Sequence, residues 1–339
     1  MLAVALSFPV ETVIKVGVVA LMTLVGPLVF VYVFLFKMVS HMQSRLGPME
    51  AGPHGTLQPV VEALKFLQKE DIFPERADKL IFSLAPFVIA VSAFLLYAVI
   101  PAGPRLVVEN LNTGVFFAMA VSSISVIGVL MAGWASANKY SLMGGLRSAG
   151  QLIAYELPML LAVVGVVIQA GSLSLQDIVH AQANGAMFGF KAIGNPFILT
   201  QFVGFVIFVI AAQAELTQTP FDMPVAESEL VTGYLTEYTG MRFLWFFILE
   251  FGTAFAFAAL AATLFLGGWY VPGVHGTLAD VIGPIALFAK IMLLGFCIFW
   301  VRFTYPRFRE DQLQRLAWKV LIPISLLNIV VTSILKVVR

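Results

Sequence analysis

The feature that most constrains this chain is a series of eight long apolar runs that are nearly free of charged residues. A helix needs roughly 20 mainly apolar residues to cross the hydrocarbon core of a bilayer. Backbone groups in lipid must be satisfied within their own segment, so runs of this kind form helices. The pattern therefore predicts an all-α, polytopic integral membrane protein of about eight transmembrane helices in a single membrane domain, residues 1–339. The runs are Val16–Phe36, Ile81–Ile100, Leu111–Asn138, Leu152–Gln176, Phe197–Ala214, Phe243–Pro272, Val281–Val301 and Val320–Leu335.

Composition agrees with lipid as the surrounding solvent. Hydrophobic residues make up 60% of the chain and charged residues 12%, against roughly 25% charged residues in soluble domains. The formal net charge is only +1. A nucleic-acid partner would require a basic face for the phosphate backbone, so this class of partner is excluded.

Basic residues are distributed unequally between the two sets of connections. Connections rich in Lys and Arg remain in the cytoplasm. The connections after the first, third, fifth and seventh runs are therefore predicted to be cytoplasmic, with both termini on the opposite side. We expect a bacterial cytoplasmic (inner) membrane. These connections hold Lys37, Arg45, Lys65, Lys69, Arg76, Lys79, Lys139, Arg147, Arg242, Arg302, Arg307, Arg309, Arg315 and Lys319, which are 14 of the 20 basic residues.

Few side chains in this sequence could hold a redox cofactor. The chain has 1 cysteine, Cys297, inside an apolar run, and its four histidines are scattered. Zinc sites and iron–sulfur clusters need several soft ligands, and no second histidine stands at helical spacing for a bis-histidine haem. The chain alone is therefore predicted to bind no metal or redox cofactor.

The first cytoplasmic connection, residues 39–80, contains an amphipathic segment. Between Gln58 and Glu70 the charged residues Glu62, Lys65 and Lys69 alternate with apolar residues at helical spacing. This pattern predicts a short helix lying in the membrane interface. A structural surface helix and a lip at which an amphiphilic molecule leaves the bilayer are both consistent with it. The connection also holds the motifs Arg45-Leu-Gly-Pro48, Ala51-Gly-Pro53 and Leu57-Gln-Pro59.

Two carboxylates fall inside apolar runs, Glu156 in the fourth and Glu250 in the sixth. A charged side chain in lipid is costly unless it is paired, protonated or hydrated. Glu156 is therefore either a proton-exchanging site or part of a structural ion pair, and Arg147 could reach it only if the helix began early. The segment before Glu156 contains Gly133-Trp-Ala-Ser136, Lys139-Tyr140, Gly144-Gly145, Arg147, Gln151 and Tyr155.

The third cytoplasmic connection, residues 215–242, is acidic but includes the apolar motifs Pro220-Phe-Asp222 and Leu230-Val-Thr-Gly-Tyr234. Clustered acids at low dielectric repel one another, and burial raises their pKa values further. Some would then titrate near neutral pH, as a proton relay requires. A solvated acidic loop is the alternative. The acids are Glu215, Asp222, Glu227, Glu229 and Glu237, followed by a single base, Arg242.

The fourth cytoplasmic connection, residues 302–319, is basic and follows an earlier Phe265-Leu-Gly-Gly-Trp269 motif. Arg302, Arg307 and Arg309 are predicted to dock acidic partner surfaces or lipid head groups. Anchoring at the cytoplasmic face explains them almost as well.

These four motifs, in this order from about residue 43 to 320, resemble the H subunit of respiratory complex I, the NADH-quinone oxidoreductase. The resemblance implies an eight-helix subunit at the membrane end of a long quinone chamber, with quinone as the substrate. Quinone would pass from the bilayer between the first helix, the amphipathic helix after Gln58 and the sixth helix. Iron–sulfur clusters and FMN would be held only by partner subunits, so the isolated chain would have no activity.

The resemblance also implies roles for individual residues and partners. The partners would be the quinone-site hydrophilic subunits, small membrane subunits of the complex, and lipid. Quinone-chamber candidates are Gln43, Arg45, Gln58, Lys65, Phe221, Asp222 and Arg242. Proton-path candidates are Glu156, Glu215, Glu227, Glu229, Glu237 and Glu250.

The chain departs from the usual pattern of this family at several charged positions. Gln218 stands where the family has an Arg, and Val225 where it has a Glu. Leu35 and Phe36 replace a Glu-Arg pair at the end of the first helix, and Met49-Glu50 replace Asn-Arg. These charges bear on quinone position and proton transfer, so the departures point to a divergent member of the family.

Three other functions are consistent with parts of the pattern. The related membrane subunit of an energy-converting hydrogenase would lack quinone. A secondary transporter would show internal repeats and helices broken at the midplane, and no convincing repeat relates the two halves. A scaffold that anchors a peripheral arm would explain the basic connections, but not the carboxylates inside the runs.

Overall fold

The computed structural model describes residues 8–185, 194–274 and 276–338, with the side chains of Phe8, Pro9 and Glu227 excepted. Within these ranges the secondary structure is helical, with no strand. Seven helices in them are long and apolar enough to cross a membrane. These spans are α1 (Val10–Met42), α3 (Lys79–Ala98), α4 (Gly114–Ala135), α5 (Lys139–Ala170), α8 (Gly240–Phe265), α9 (Thr277–Thr304) and α10 (Glu310–Val338).

Three further helices of ten or more residues lie between these spans in the described ranges. The amphipathic helix α2 (Gln58–Gln68) follows α1, and α6 (Leu175–Asn184) follows α5. The helix α7 (Phe202–Glu215) is apolar but has only 14 residues, and it is preceded by a separate turn at Phe197–Thr200. The predicted fifth run is therefore the shortest of the eight apolar helices. The last run, which looked short in sequence, is the end of the long helix α10.

The start of α5 differs most from the sequence-based expectation. The fourth apolar run was expected to begin at Leu152, but the helix begins at Lys139, where the Asn138 side chain accepts a hydrogen bond from the Tyr140 N–H. The glycines of this segment are packing positions and not loop residues. A Cβ on Gly133 of α4 would lie 3.1 Å from the Cα of Gly145. Small residues let two membrane helices approach closely.

The helix α8 lies at the centre of the protein and packs against α1, α3 and α9. An aromatic cluster fills the space between three of these helices, with ring centroids 5.1 to 5.9 Å apart. Rings at such distances pack in stacked or edge-to-face arrangements that add to their burial. The cluster consists of Phe30 and Phe34 of α1, Phe251 and Phe255 of α8, and Phe299 of α9.

A second group of helices forms around α5, which packs against α4, α7 and α10. The contact between α3 and α4 joins this group to the α8 group. Large apolar side chains are exposed along α1, α9 and α10, including Leu21, Ile285 and Leu335. Apolar side chains exposed on membrane-spanning helices face lipid or neighbouring apolar surfaces at no hydrophobic cost.

The acidic connection between α7 and α8 is seated on α5. The Gln151 side chain donates from Nε2 to the carbonyl oxygens of Ala214, at 2.7 Å, and Phe221, at 2.8 Å. Farther along the connection, Gly233 packs directly against Gly144 of α5. A Cβ added to Gly144 would lie 2.7 Å from the Gly233 Cα. This connection is therefore packed against the membrane domain and is not a solvated loop.

The non-helical part of the basic segment is shorter than the range 302–319 predicted from the sequence. The helix α9 continues through Arg302 to Thr304, and α10 begins at Glu310. Only residues 305–309 connect the two helices outside helical structure.

Candidate functional site

A polar cavity of about 70 Å³ lies inside the protein between α3, α4, α5, α8 and the end of α7. Two carboxylates, Glu215 and Glu250, line it. A single buried water needs roughly 10–15 Å³ of such space, so the cavity has room for several waters. Its other polar lining residues are Ser92, Ser122, Ser125, Ser148, Thr217, Tyr234 and Thr253.

Glu215 is the last residue of α7, and its Oε2 atom is shielded from solvent without a hydrogen-bond partner among the described residues. The Ser148 hydroxyl in the same cavity is likewise buried and unpartnered there. Buried polar atoms without a protein partner are typically satisfied by ordered water. Glu215 and Ser148 therefore mark a place where water belongs.

Glu250, in the first half of α8, is linked to a base through an amide. Gln218, 2% exposed, donates from Nε2 to Glu250 Oε1 and accepts at Oε1 from Arg302 Nη1. The Arg302 and Glu250 side chains are themselves 3.6 Å apart. The guanidinium thus balances the carboxylate both directly and through the amide. Arg302 was expected to dock an acidic partner surface or lipid head groups, or to anchor the chain at the cytoplasmic face. Within this chain it pairs with Glu250.

Glu156 lies near the same cavity on α5. The charge of its carboxylate acts on Glu215. Although α5 begins early, Arg147 is not its partner. Nine residues along a helix span about 13 Å, and Arg147 instead pairs with Glu229 at 2.6 Å.

The acids of the 215–242 connection are separated from one another by ion pairs and hydrogen bonds. Asp222 accepts from Arg307 at 2.8 Å, and Glu237 accepts from Asn138 Nδ2 at 2.6 Å. The Arg147 guanidinium beside Glu229 holds the pKa of that carboxyl below its ordinary value. The side chain of Glu227 lies outside the described part of the chain.

This pairing corrects the expectation of a cluster of mutually repelling acids balanced by Arg242. The compensating bases come from other segments, Arg147 of α5 and Arg307 of the α9–α10 connection. Arg242 pairs with Asp71 at 3.1 Å and stacks on the Phe73 ring, 3.7 Å from its centroid.

Tyr234 is the one phenol that lines the polar cavity among the described residues. Burial, followed by the charges of Glu250 and Asp222, raises the pKa of its hydroxyl. It therefore remains protonated at neutral pH and can both donate and accept a hydrogen bond.

The amphipathic helix α2 contacts both the π-helical turn of α1 and the start of α8. Phe66 of α2 stacks on Phe243 of α8 with centroids 5.7 Å apart. The segment after α2 is tied to the same place, because the Ile72 N–H donates to the Thr239 hydroxyl at 3.0 Å. We call this meeting place the α1–α2–α8 junction. It is where the resemblance predicted that quinone passes from the bilayer.

The seven quinone-chamber candidates occupy several environments. Arg45 donates to Gln43 at 2.8 Å, and Gln58 donates to Glu62 at 3.0 Å, in both cases among neighbours in sequence. Lys65 is exposed on α2. Arg242 lies at the start of α8, next to the junction.

Phe221 is placed differently from the other chamber candidates. It is 4% exposed and packs between Tyr155 and Phe308. Its environment is that of a core residue that holds the acidic connection onto α5.

The sequence did not identify several residues of the polar cavity as functional candidates. The serines of α3 and α4 were inconspicuous because serine is common in membrane helices. The spacing of Ser122 and Ser125, three residues apart on one face of a helix, was the available signal. Gln218 was noticed only as a departure from the family pattern, and its contacts show that it joins Arg302 to Glu250.

Comparison with known proteins decides the family. The family model described as NADH dehydrogenase matches residues 14–333 of this chain. The H subunit of NADH-quinone oxidoreductase from Brevibacillus brevis is 45% identical over 318 residues, which cover 94% of this chain and 91% of the relative. The chain belongs to the family of NADH-quinone oxidoreductase H subunits. The resemblance inferred from the four motifs is thereby confirmed.

Other relatives of the same family match the chain over similar lengths. The H subunit from Thermomicrobium roseum is 44% identical over 330 residues, covering 95% of each chain. The H subunit numbered 2 from Syntrophobacter fumaroxidans is 48% identical over 306 residues, covering 88% of this chain and 87% of the relative. The similarity therefore extends through both the acidic connection and the α1–α2–α8 junction.

Proposed function

We propose that this chain is the membrane subunit of a proton-translocating, complex I-type NADH-quinone oxidoreductase, forming the membrane end of the quinone chamber and the start of the proton path. The names of its relatives support this interpretation over a hydrogenase-like subunit without quinone. The observation that carries it is the polar cavity lined by Glu215 and Glu250. Glu250 lies on α8, the helix that also forms one wall of the α1–α2–α8 junction.

In this proposal the quinone tail passes through the α1–α2–α8 junction while its head group moves toward the partner subunits. Those subunits would hold the FMN and iron–sulfur clusters. In the described residues of this chain no group of three or more His, Cys, Asp or Glu side chains could hold a metal ion. The work of this chain is to position quinone and to accept protons.

The proton path begins, on this view, at the Glu250 carboxylate. Its charge is balanced by Arg302 through Gln218, so a change of charge near the guanidinium alters the proton affinity of Glu250. A proton can then pass through cavity water and the hydroxyls of Tyr234 and Ser148 to Glu215, and on to Glu156. The chain would lie in a bacterial inner membrane with both termini outside the cytoplasm.

Photo-crosslinking tests the quinone assignment. In the purified, assembled complex an azido-quinone is expected to label residues 43–69 or the connection 215–242, because these segments flank the α1–α2–α8 junction and the Gln218 bridge. Peptide mapping of this chain locates the label, and excess unlabelled quinone must remove it. Label confined to partner subunits would instead support the hydrogenase-like or scaffold interpretation.

A second experiment tests the amide bridge. Gln218→Leu removes both hydrogen bonds and leaves two charged groups with an apolar neighbour. The loss leaves the Glu250 carboxylate without the contact that positions it, and positioned acid–base groups contribute about a hundredfold or more to rate, so coupled quinone reduction is expected to fall by about tenfold or more. Steady-state quinone reduction and proton uptake in proteoliposomes measure the effect.

Gln314→Leu is the matched control for this variant. Gln314 also makes hydrogen bonds, with the Gly150 carbonyl and the Trp318 indole, but it does so at a half-buried position of α10, whereas Gln218 is buried. Equal losses in the two variants would show that the Gln218 bridge has no special part in coupling.

A further inference from the structure

An apolar groove of about 380 Å³ lies away from the polar cavity, between the first half of α1, the α3–α4 connection, α8 and α9. Eighteen residues line it, and only two of them, Lys15 and Arg105, are charged. The groove is formed near the N-terminal end of α1, whereas the α1–α2–α8 junction involves the π-helical turn at Val31–Met38. The two sites are therefore separated along α1.

The groove opens toward the surroundings of the membrane-spanning helices. Ile14, Val18 and Met22 on α1 are 42% to 49% exposed, and Phe288 on the facing α9 is 44% exposed. Its inner wall is buried and includes Phe255 and Ala259 of α8, at 8% and 1% exposed. A molecule that enters from the bilayer thus meets apolar side chains throughout.

Charged side chains surround only one end of the groove. Lys15 is held between Glu11 and Glu109, with both nitrogen-to-oxygen distances at 3.1 Å. The Arg105 side chain is 83% exposed, and its Nε atom lies 3.8 Å from Asp280. A guanidinium has five N–H donors, so most of those on Arg105 are available to a ligand.

The described charges at this end do not cancel. The carboxylates of Glu11, Glu109 and Asp280 outnumber the bases Lys15 and Arg105 by three to two. A ligand that carries one phosphate and one amine fits this arrangement, since the phosphate can bind Arg105 while the amine lies near the surplus carboxylate. An anionic head group would add to the negative surplus.

We propose that this groove binds a zwitterionic, amine-bearing glycerophospholipid, with one acyl chain along the groove and its phosphate on the Arg105 guanidinium. Burial of the apolar chain supplies the attraction, and the charged end selects the head group. A quinone would place an uncharged isoprenoid tail in the same space and would gain nothing from Arg105.

The test uses the intact complex in nanodiscs that contain a phosphatidylethanolamine with a photoactivatable acyl chain. The expected label lies on residues 14–22 and 284–291, well above the label on the exposed surface of α10 around Leu335. Arg105→Gln is expected to reduce the groove label about threefold, because the guanidinium is largely exposed and solvent screens its contact with the phosphate.

Two further variants keep the result interpretable. Lys336→Gln removes a base from the exposed C-terminal turn of α10, away from the groove, and is expected to leave the groove label unchanged. Ala259→Phe fills the inner wall and is expected to abolish the label. Quinone reduction by the Arg105→Gln complex should match that of the unmodified complex.

Three outcomes would overturn the proposal. The first is equal labelling of the groove and the α10 surface, which would indicate ordinary boundary lipid. The second is stronger labelling by an anionic phosphatidylglycerol analogue. The third is loss of the label on addition of a long-tailed quinone, which would assign the groove to quinone. None of these results depends on whether the polar cavity carries protons.

Discussion

In the complex assembled with Glu215→Gln, proton translocation and the quinone reduction coupled to it are expected to fall by roughly two orders of magnitude. A positioned acid–base group usually contributes a factor of about this size. Glutamine keeps the size and the hydrogen-bonding capacity of the side chain but cannot release a proton. Glu215 has a shielded, unpartnered Oε2 in the polar cavity among the described residues, so in the proposed path it is the carboxylate that exchanges a proton with cavity water.

The measurement is proton uptake by proteoliposomes energised with NADH, alongside reduction of a water-soluble electron acceptor by the hydrophilic arm. The latter should be unchanged, which separates a broken proton path from failed assembly. Glu75→Gln is the control, since Glu75 belongs to the connection between α2 and α3 and lies outside the polar cavity. Normal translocation by the Glu215→Gln complex would favour the interpretation of this chain as a scaffold.

Gly233→Ala is expected to prevent stable assembly of the complex. Gly233 has a φ of +57°, a conformation that costs other residues about 1–2 kcal/mol each. An added Cβ would also overlap the Pro224 carbonyl oxygen. Since Gly233 lies against Gly144 of α5, the acidic connection cannot shift to relieve the overlap without losing its contact with α5.

Native gel electrophoresis of solubilised membranes measures the amount of assembled complex. The thermal unfolding midpoint measures the stability of the complex that does assemble. Gly17→Ala is the matched control, because no atom lies within 4 Å of a Cβ at that position of α1. If the two variants assembled equally well, the close contact between Gly233 and α5 would not be needed for the fold.

Features that depend on local sequence were predictable. The amphipathic helix was expected between Gln58 and Glu70 and is found at Gln58–Gln68, because its period and its proline near the N-terminus act within a few residues. The apolar runs predicted the membrane helices for the same reason. The start of α5 was missed, because Gly144 and Gly145 resemble loop residues until their contacts with Gly233 and with Gly133 of α4 are known.

Features that depend on distant partners were not predictable. The two ion pairs of the acidic connection join residues 82 and 85 positions apart in the chain. Nothing in the local pattern assigns Glu229 to Arg147 or Asp222 to Arg307. For the same reason, the sequence suggested repulsion among the acids, and it offered no sign that Gln218 would stand between Arg302 and Glu250.

The helix α8 joins sites that would otherwise act separately. Arg242 adjoins the α1–α2–α8 junction, Glu250 lines the polar cavity, and Ala259 lines the apolar groove. The 17 residues from Arg242 to Ala259 span about 25 Å, and α8 contains no proline. Its neighbours α1, α3 and α9 each contain one. With no proline to kink it, α8 holds the junction, the polar cavity and the apolar groove at a fixed spacing along one helix axis, whereas each of its three neighbours contains a residue at which a helix can bend.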